Sequence, residues 1–598
     1  MPQLTVKQLE LDTEGKTELL KTITDHWSED SADLEGRGKA LTRWIRLWRA
    51  AITEASVPEQ EASNFHVPLI LWQILNALAK EMRILFGEDT EVVVRPRGKT
   101  DVDRAEKIRK WMNYRVRNMG MFRKYYDFVA FKKIFGNAIA FLPWVIKKRQ
   151  VKNLVPVTKT EYQEQTDPLS GLVAQVPVET TVMEEQVEEV IDYQGLELVV
   201  ENLEDWVVPK SATTIEDANH FIRRLKLTVD EILELRDQGK IDPKLFEEDD
   251  QLVEKLYKWA SEKATSSTAG SDSGQSVREE RDEQAGQPST PVGSEDQLVV
   301  YNWFGKFRVK DKKGKKGERA KDVVAFVLPD QSMLLGAAEL TEMFPDGRKP
   351  FVKSDNIRDP NRFWSIGQAE LLESISMEMD TLYRITTDAG LGTVGPIILF
   401  EPASGFDPKS FKYEPYMCIP TANAAGVRVL TLGVFNAGPY VTLTSQLMSM
   451  AERLSGITET QMGRQMQGPN APRTYGQQVM LQDESNTRLS LDMELERETF
   501  REILKRIWEA DKRWLPKPIF FRVTEEEPGD VLTKEEMQGD YDFDITPPLA
   551  VANKAQMMQE MLQAYALVMQ NPVAMQNPGL IAEFLRKIVT KMGQADLS

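Results

Sequence analysis

The sequence predicts an α+β protein built from several modules. A chain of 598 residues is longer than one hydrophobic core usually serves. Stripes of apolar residues at helical spacing also occupy different stretches from those in which apolar residues alternate, so helices and antiparallel strands are segregated along the chain. With 41% apolar and 28% charged residues, the composition is that of a folded protein able to build real cores.

Composition also excludes function classes. A single cysteine, Cys418, allows no disulfide within the chain and no multi-cysteine zinc site, and it reads as a packing residue. The histidines, His26, His66 and His220, are scattered, with no HExxH pair and no carboxylate–histidine spacing, so metal catalysis has little to stand on. The "RPRGKT" stretch resembles the end of a phosphate loop, but Val93 stands where the motif needs glycine. A net charge of −18 argues against a protein that grips nucleic acid by neutralising phosphates, and it suits simple solubility. The N-terminus lacks the basic-then-apolar order of a signal peptide. The most apolar span, Val67 to Gly87, carries Lys80, Glu81 and Arg83, which makes it an amphipathic helix and not a membrane span.

The first 90 or so residues read as helical, with Leu41, Ile45 and Trp48 on one face and Trp44 beside Arg43 and Arg46. Two more helices follow, the second passing through Gly136 into an apolar strand near Ala138 to Val145. Alternation from Val151 to Val208 predicts antiparallel strands with one wet face. Thr228 and Glu231 have capping-box spacing ahead of a short helix. Ser261 to Gln297 has no aromatic residue and eight acids against three bases, so it is expected to be disordered. Strands resume on either side of the lysine-rich "DKKGKKGERAK", a solvated turn.

A long helix then carries Leu371, Ile375, Leu382 and Ile385 at helical spacing, with Met379 filling in and Glu373, Glu378, Asp380 and Arg384 opposite. A second, entered through Gly438 and Pro439, places Leu443, Leu447, Met450 and Leu454 at i, i+4, i+7 and i+11. Between them lies a Gly- and Pro-rich, β-like insert. A polar loop, a long helical run from about Thr474 to Trp514, two short strands and two helices complete the chain.

This order of elements resembles the portal proteins of tailed bacteriophages. The resemblance is carried by "VENLEDWVVPKSATTIEDANHFIRRLKLTVDEILEL", by "LVVYNWFGKFRVK" through "GRKPFVKSDNIRDPNRFWSIGQAELLESISMEMDTLYRITTDAG", and by "ERLSGITETQMG" through "RTYGQQVMLQDESNTRLSLDMELERETFREILKRIWE". It spans roughly 123–514, and each motif alone is weak; their order is the specific part. It implies the portal fold: a β-rich wing at 91–366 with a helical periphery at 1–90, stem helices at 367–392 and 437–456, and a small α/β clip at 393–436. A tunnel loop at 457–475, a long kinked helix at 476–515, wing return strands at 516–549 and a helical crown at 550–598 follow.

The implied function is a homo-oligomeric ring of about twelve copies at one capsid vertex, assembled in the host bacterial cytoplasm, that conducts double-stranded DNA. Its partners would be the terminase large subunit, the major capsid and scaffolding proteins and the tail adaptor proteins, with no membrane, cofactor, metal or catalytic residue. Gln461, Arg464, Gln465, Gln467, Asn470 and Arg473 would face DNA unless their loop is an ordinary surface loop. Glu401, Phe406, Asp407, Lys409 and Phe411 would meet the clip's partners or fix its turn. The apolar stripes of the two stem helices would pack between neighbours. The alternatives are a packaging ATPase or nuclease, which lacks its phosphate loop here, and a ring or adaptor protein of the virion that does not conduct DNA.

Overall fold

The computed structural model describes residues 6–50, 63, 65–87, 91–98, 101–166, 173–248, 251–266, 297–308, 320–344, 346–394, 397–404, 427–430, 436–456, 475–515, 519–521, 530–533, 535–537, 539 and 541–545. Helices α1 (Thr13–Asp30), α2 (Ala32–Arg49) and α3 (Leu69–Phe86) lead into β1 (Val92–Pro96), α4 (Val102–Asn118) and α5 (Met121–Phe135). Then come β2 (Asn137–Phe141), β3 (Trp144–Thr166), β4 (Val173–Leu196), β5 (Val199–Val200), β6 (Trp206–Val207) and β7 (His220–Thr228). Helices α6 (Val229–Asp237), α7 (Lys244–Glu248) and α8 (Leu252–Ser266) precede β8 (Gln297–Phe307), β9 (Lys321–Leu328) and β10 (Met333–Glu339). The short α9 (Leu340–Met343) and β11 (Phe351–Asp355) lead to α10 (Gln368–Val394). The last elements are β12 (Ile397–Phe400), β13 (Val427–Leu430), α11 (Gly438–Ser455), α12 (Tyr475–Trp514), β14 (Ile519–Phe521), β15 (Asp530–Leu532) and β16 (Tyr541–Ile545). The expected mixture of helix and sheet is present.

A five-stranded antiparallel sheet in the order β10-β9-β8-β7-β6 is buried on both faces. Trp303, Val323, Ala325 and Val327 face Leu19 and Ile23 of α1, while Phe304, Val324 and Phe326 face the main core. That two-sided burial explains the unbroken apolar run "VVAFVL" in β9, since a strand covered on both faces has no wet positions to alternate with. Thr228 caps α6 as the spacing predicts: its hydroxyl accepts from Glu231 N, and the Glu231 carboxylate accepts from Thr228 N at 2.9 Å. The 261–297 expectation needs correction at its edges, because 261–266 finish α8 and Gln297 opens β8; the remainder lies outside the described residues.

The second core lies beneath α12, whose Phe500, Ile503, Leu504, Ile507 and Trp508 follow i, i+3, i+4, i+7, i+8 and pack among α3, α4, α5 and the β1/β16 pair. Buried charges lock the helices together. Lys132 Nζ donates to Glu81 Oε2 at 2.9 Å and to Glu496 Oε2 at 2.5 Å, and Lys133 reaches Glu81 Oε1 at 2.5 Å. Tyr125 and Ser354 hydroxyls also donate to Glu496. Farther along α12, Arg115 forks onto Asp511 at 2.9 and 2.7 Å and donates to the Gln194 carbonyl at the base of β4.

Where α5 turns into β2, Gly136 has φ +88° and lies against the loop that enters α10; a Cβ there would collide with the Ser365 carbonyl. Asn137 and Asp355 tie the same loop down, Ser365 N donating to Asn137 Oδ1 at 2.7 Å and Ser365 Oγ to Asp355 Oδ1 at 2.9 Å. The start of α10 is thereby fixed to the body.

Candidate assembly interface

Only the first part of α10 is buried. Ile375, Met379 and Leu382 of the expected stripe are buried, together with Leu372; Leu371 is half-buried, and Ile385 is 45% exposed. The helix also docks on a side expected to be wet. Asp380 Oδ1 accepts from Val67 N at 2.8 Å and its Oδ2 lies 2.8 Å from His66 Nδ1, while Trp44 Nε1 donates to Glu373 Oε2 at 3.2 Å. These acids bind the backbone and aromatic donors of α2 and of the segment entering α3, a use that helical spacing alone cannot reveal.

Helix α11 packs back against α10, as β12 and β13 pair antiparallel between them. Gly438 and Pro439 open it, and Gly456, at φ +74°, ends it. Only Ala451 is fully buried, with Leu447 and Met448 packed against the core. At 100° per residue, Leu443, Leu447, Met450 and Leu454 fall within ~60° of arc, turned away from Ala451 by a similar angle. Leu443, Met450 and Leu454 are therefore 46%, 52% and 39% exposed, in a subunit that also exposes Val441, Met377 and Ile385 on these two helices. Between the helices lies a cavity of about 470 Å³ lined by Tyr383, Thr386, Tyr440, Thr444, Met448 and Glu452.

Of the clip residues, Glu401 is exposed just after β12; Phe406, Asp407, Lys409 and Phe411 lie outside the described residues, as do Gln461, Arg464, Gln465, Gln467, Asn470 and Arg473. Among the described residues no group of three His, Cys, Asp or Glu side chains is placed to hold a metal, and no helix is long and apolar enough to cross a membrane.

Two histidines that are far apart in sequence do meet. His26 of α1 and His220 of β7 stack with centroids 3.6 Å apart, His220 Nε2 lies 2.8 Å from Asp30, and Trp303 Nε1 donates to His26 Nδ1 at 3.3 Å. Burial, reinforced by His220, lowers the His26 pKa against the pull of Asp30, Glu29 and Asp25. Below the unfolded value of about 6.5 the unfolded chain takes up a proton that the folded ring resists, so stability is full above that pH and is lost as pH falls toward the folded pKa. Tryptophan-fluorescence unfolding at pH 7.5 and pH 5.5 is expected to show the loss, with a shallower dependence in His26→Gln.

A mixed helix-and-sheet subunit with apolar faces left uncovered on paired long helices has the form of a structural assembly component. The chain belongs to the phage SU10 portal protein family, whose family model matches residues 41–598. It is thus a phage portal protein of the virion capsid, not a non-portal ring or adaptor. The match extends beyond the 123–514 spanned by the sequence motifs on both sides. No curated protein matches the chain.

Proposed function

We propose that this subunit forms a ring of about twelve copies around an axial channel through which double-stranded DNA is packaged and later ejected. In that ring 367–392 and 437–456 are the stem, 393–436 the clip and 457–475 the loop nearest DNA, with 476–515 the helix behind it. The wing is 91–366, with 1–90 at its periphery and 516–549 returning to it, and 550–598 form the crown. The clip receives the terminase large subunit during filling and tail adaptor proteins afterwards. Major capsid and scaffolding proteins meet the ring as the shell forms in the host bacterial cytoplasm.

The observation that supports this reading is the uncovered apolar stripe of α11 beside the exposed residues of α10. A monomer gains nothing from leaving Leu443, Met450 and Leu454 in water, whereas a neighbour related by an axis covers the same patch in every copy. The charge suits a conduit. Twelve copies at −18 carry roughly 200 negative charges, and a wall that does not neutralise phosphates lets DNA slide. Screening over about 8 Å confines the repulsion to the narrowest part, where Arg464 and Arg473 would moderate it. Electron micrographs of the purified protein test the reading: rings with an axial hole are expected, and monomers, sheets or closed shells would overturn it.

A further inference from the structure

Two of the chain's three histidines meet at one contact, between α1 and the five-stranded sheet, and α1 lies outside the residues that the family model matches. The helix sits on an apolar floor. Leu19 and Ile23 are fully buried against Trp303, Val323, Ala325 and Val327, and Trp27 stacks on Tyr301 with centroids 4.1 Å apart. Just before the helix, Leu9 N donates to the Ala337 carbonyl at 2.7 Å and Ala337 N donates to Gln8 Oε1 at 3.0 Å, so the chain also pairs with the edge strand β10. A single residue, Ser31, separates α1 from α2. Residues 6–30 are therefore one strap laid over one face of the sheet.

The histidines suit the closed strap in one protonation state only. An indole N–H can only donate, so the His26 Nδ1 that Trp303 Nε1 reaches at 3.3 Å accepts and carries no proton. A proton there would set two donors against each other. It would also lay a cation on the His220 ring, 3.6 Å away at an interplanar angle of 7°, whose Nε2 lies 2.8 Å from Asp30. The indole lies over Gly305, where a Cβ would collide with it. The charged groups acting on His26 are Asp25, Glu29 and Asp30 of its own helix and His220 of β7. β8 faces it with Trp303, β9 and β10 meet α1 through the apolar Val323, Ala325, Val327 and Ala337, and on α2 Asp33 lies 3.7 Å from Lys210. The three acids of α1 favour the proton, yet burial and then His220 outweigh them.

We propose that 6–30 form an acid-operated latch: protonation of His26 breaks the Trp303 contact and the imidazole stack, α1 lifts about Ser31, and the apolar face of the sheet is bared. The latch belongs to the single subunit and does not depend on ring formation. Its response has a fixed limit. In the lifted helix His26 titrates near its ordinary value of about 6.5, and one group changes the closed-to-open ratio by at most about tenfold for each pH unit below that. The latch is thus at full strength at pH 7.5 and weaker by up to about tenfold at pH 5.5.

Hydrogen exchange of the full chain, corrected for the intrinsic effect of pH, tests it. Protection of 13–30 is expected to fall severalfold, to a limit of about tenfold, between pH 7.5 and pH 5.5, while Phe500 to Trp508 of α12 keep theirs. In His26→Gln the side-chain carbonyl can still accept from Trp303 but takes up no proton, so protection of 13–30 should stay level across the same range. His220→Gln removes the ring on which the cation would lie and should make the fall shallower; it decides the matter if His26→Gln does not fold. Equal protection of wild-type α1 at both pH values would overturn the latch, as would a fall in both variants as steep as in wild type. Loss of protection in α1 and α12 together would overturn it too, since that is unfolding of the whole subunit.

Discussion

Replacing Lys132 with methionine is expected to destabilise the subunit by about 3–5 kcal/mol, the cost of removing one partner from a buried ion pair. The lysine is 2% exposed and sits between Glu81 and Glu496, which are as deeply buried. Methionine fills much of the same volume, so the loss is electrostatic. Lys133 keeps Glu81 partnered, but among the described residues Glu496 retains only the Tyr125 and Ser354 hydroxyls to accept from. The thermal midpoint of the body should fall by roughly 3–6 °C. Adding Glu496→Gln should recover part of the loss, giving a coupling energy of about 1–3 kcal/mol in a double-mutant cycle. By contrast, Arg109→Ala breaks half-exposed pairs with Glu91 and Glu106 and should cost at most about 1 kcal/mol.

The pH behaviour of the cluster has a definite sign. Burial opposes the Glu81 charge, but Lys132 and Lys133 outweigh it and hold the carboxyl below its usual range. A group with a depressed folded pKa contributes stability above the unfolded carboxylate value, so this contribution is complete at neutral pH and is lost only as pH falls through the lowered value. Lys132 is shifted upward, burial being outweighed by Glu496 and then Glu81. Its share is present at all lower pH and is lost only in strong alkali. Between them the wild-type cluster should hold α3, α5 and α12 together across the range in which the His26 stack weakens.

The features that could be read in the sequence are those written locally. Thr228 and Glu231 are three residues apart, and a capping box needs nothing else. The apolar period of α11 marks Leu443, Leu447, Met450 and Leu454 whether or not a partner is present. The buried network was illegible because Glu81, Lys132 and Glu496 come from three helices far apart in the chain, and each taken alone reads as a solvated charge. Asp380 misled for the same reason: opposite an apolar stripe it looks exposed, yet a backbone N–H from residue 67 needs it. His26 and His220 meet only because β7 brings one to the face that α1 covers with the other. Of the proposed site, the stripe was visible as a pattern, while its exposure in the single subunit required the fold.

The double variant Leu443→Lys, Met450→Lys is expected to abolish ring formation while leaving the subunit folded. Both side chains are about half exposed in the single copy, so replacing them should change its stability by no more than about 0.5 kcal/mol each. In the ring the balance differs. Covering the remaining apolar area contributes about 1 kcal/mol per side chain, and a lysine placed there brings an ammonium that must be stripped of water or turned out of the contact. The same loss recurs at every interface of a closed ring, so about a dozen small penalties act on one assembly step. Sedimentation should show subunits in place of rings, with an unfolding midpoint close to that of wild type. Leu443→Ile with Met450→Leu preserves apolar volume and should still close rings. A lysine variant that assembles normally would mean that the α11 stripe faces solvent in the particle, and that neighbouring subunits meet through other surfaces.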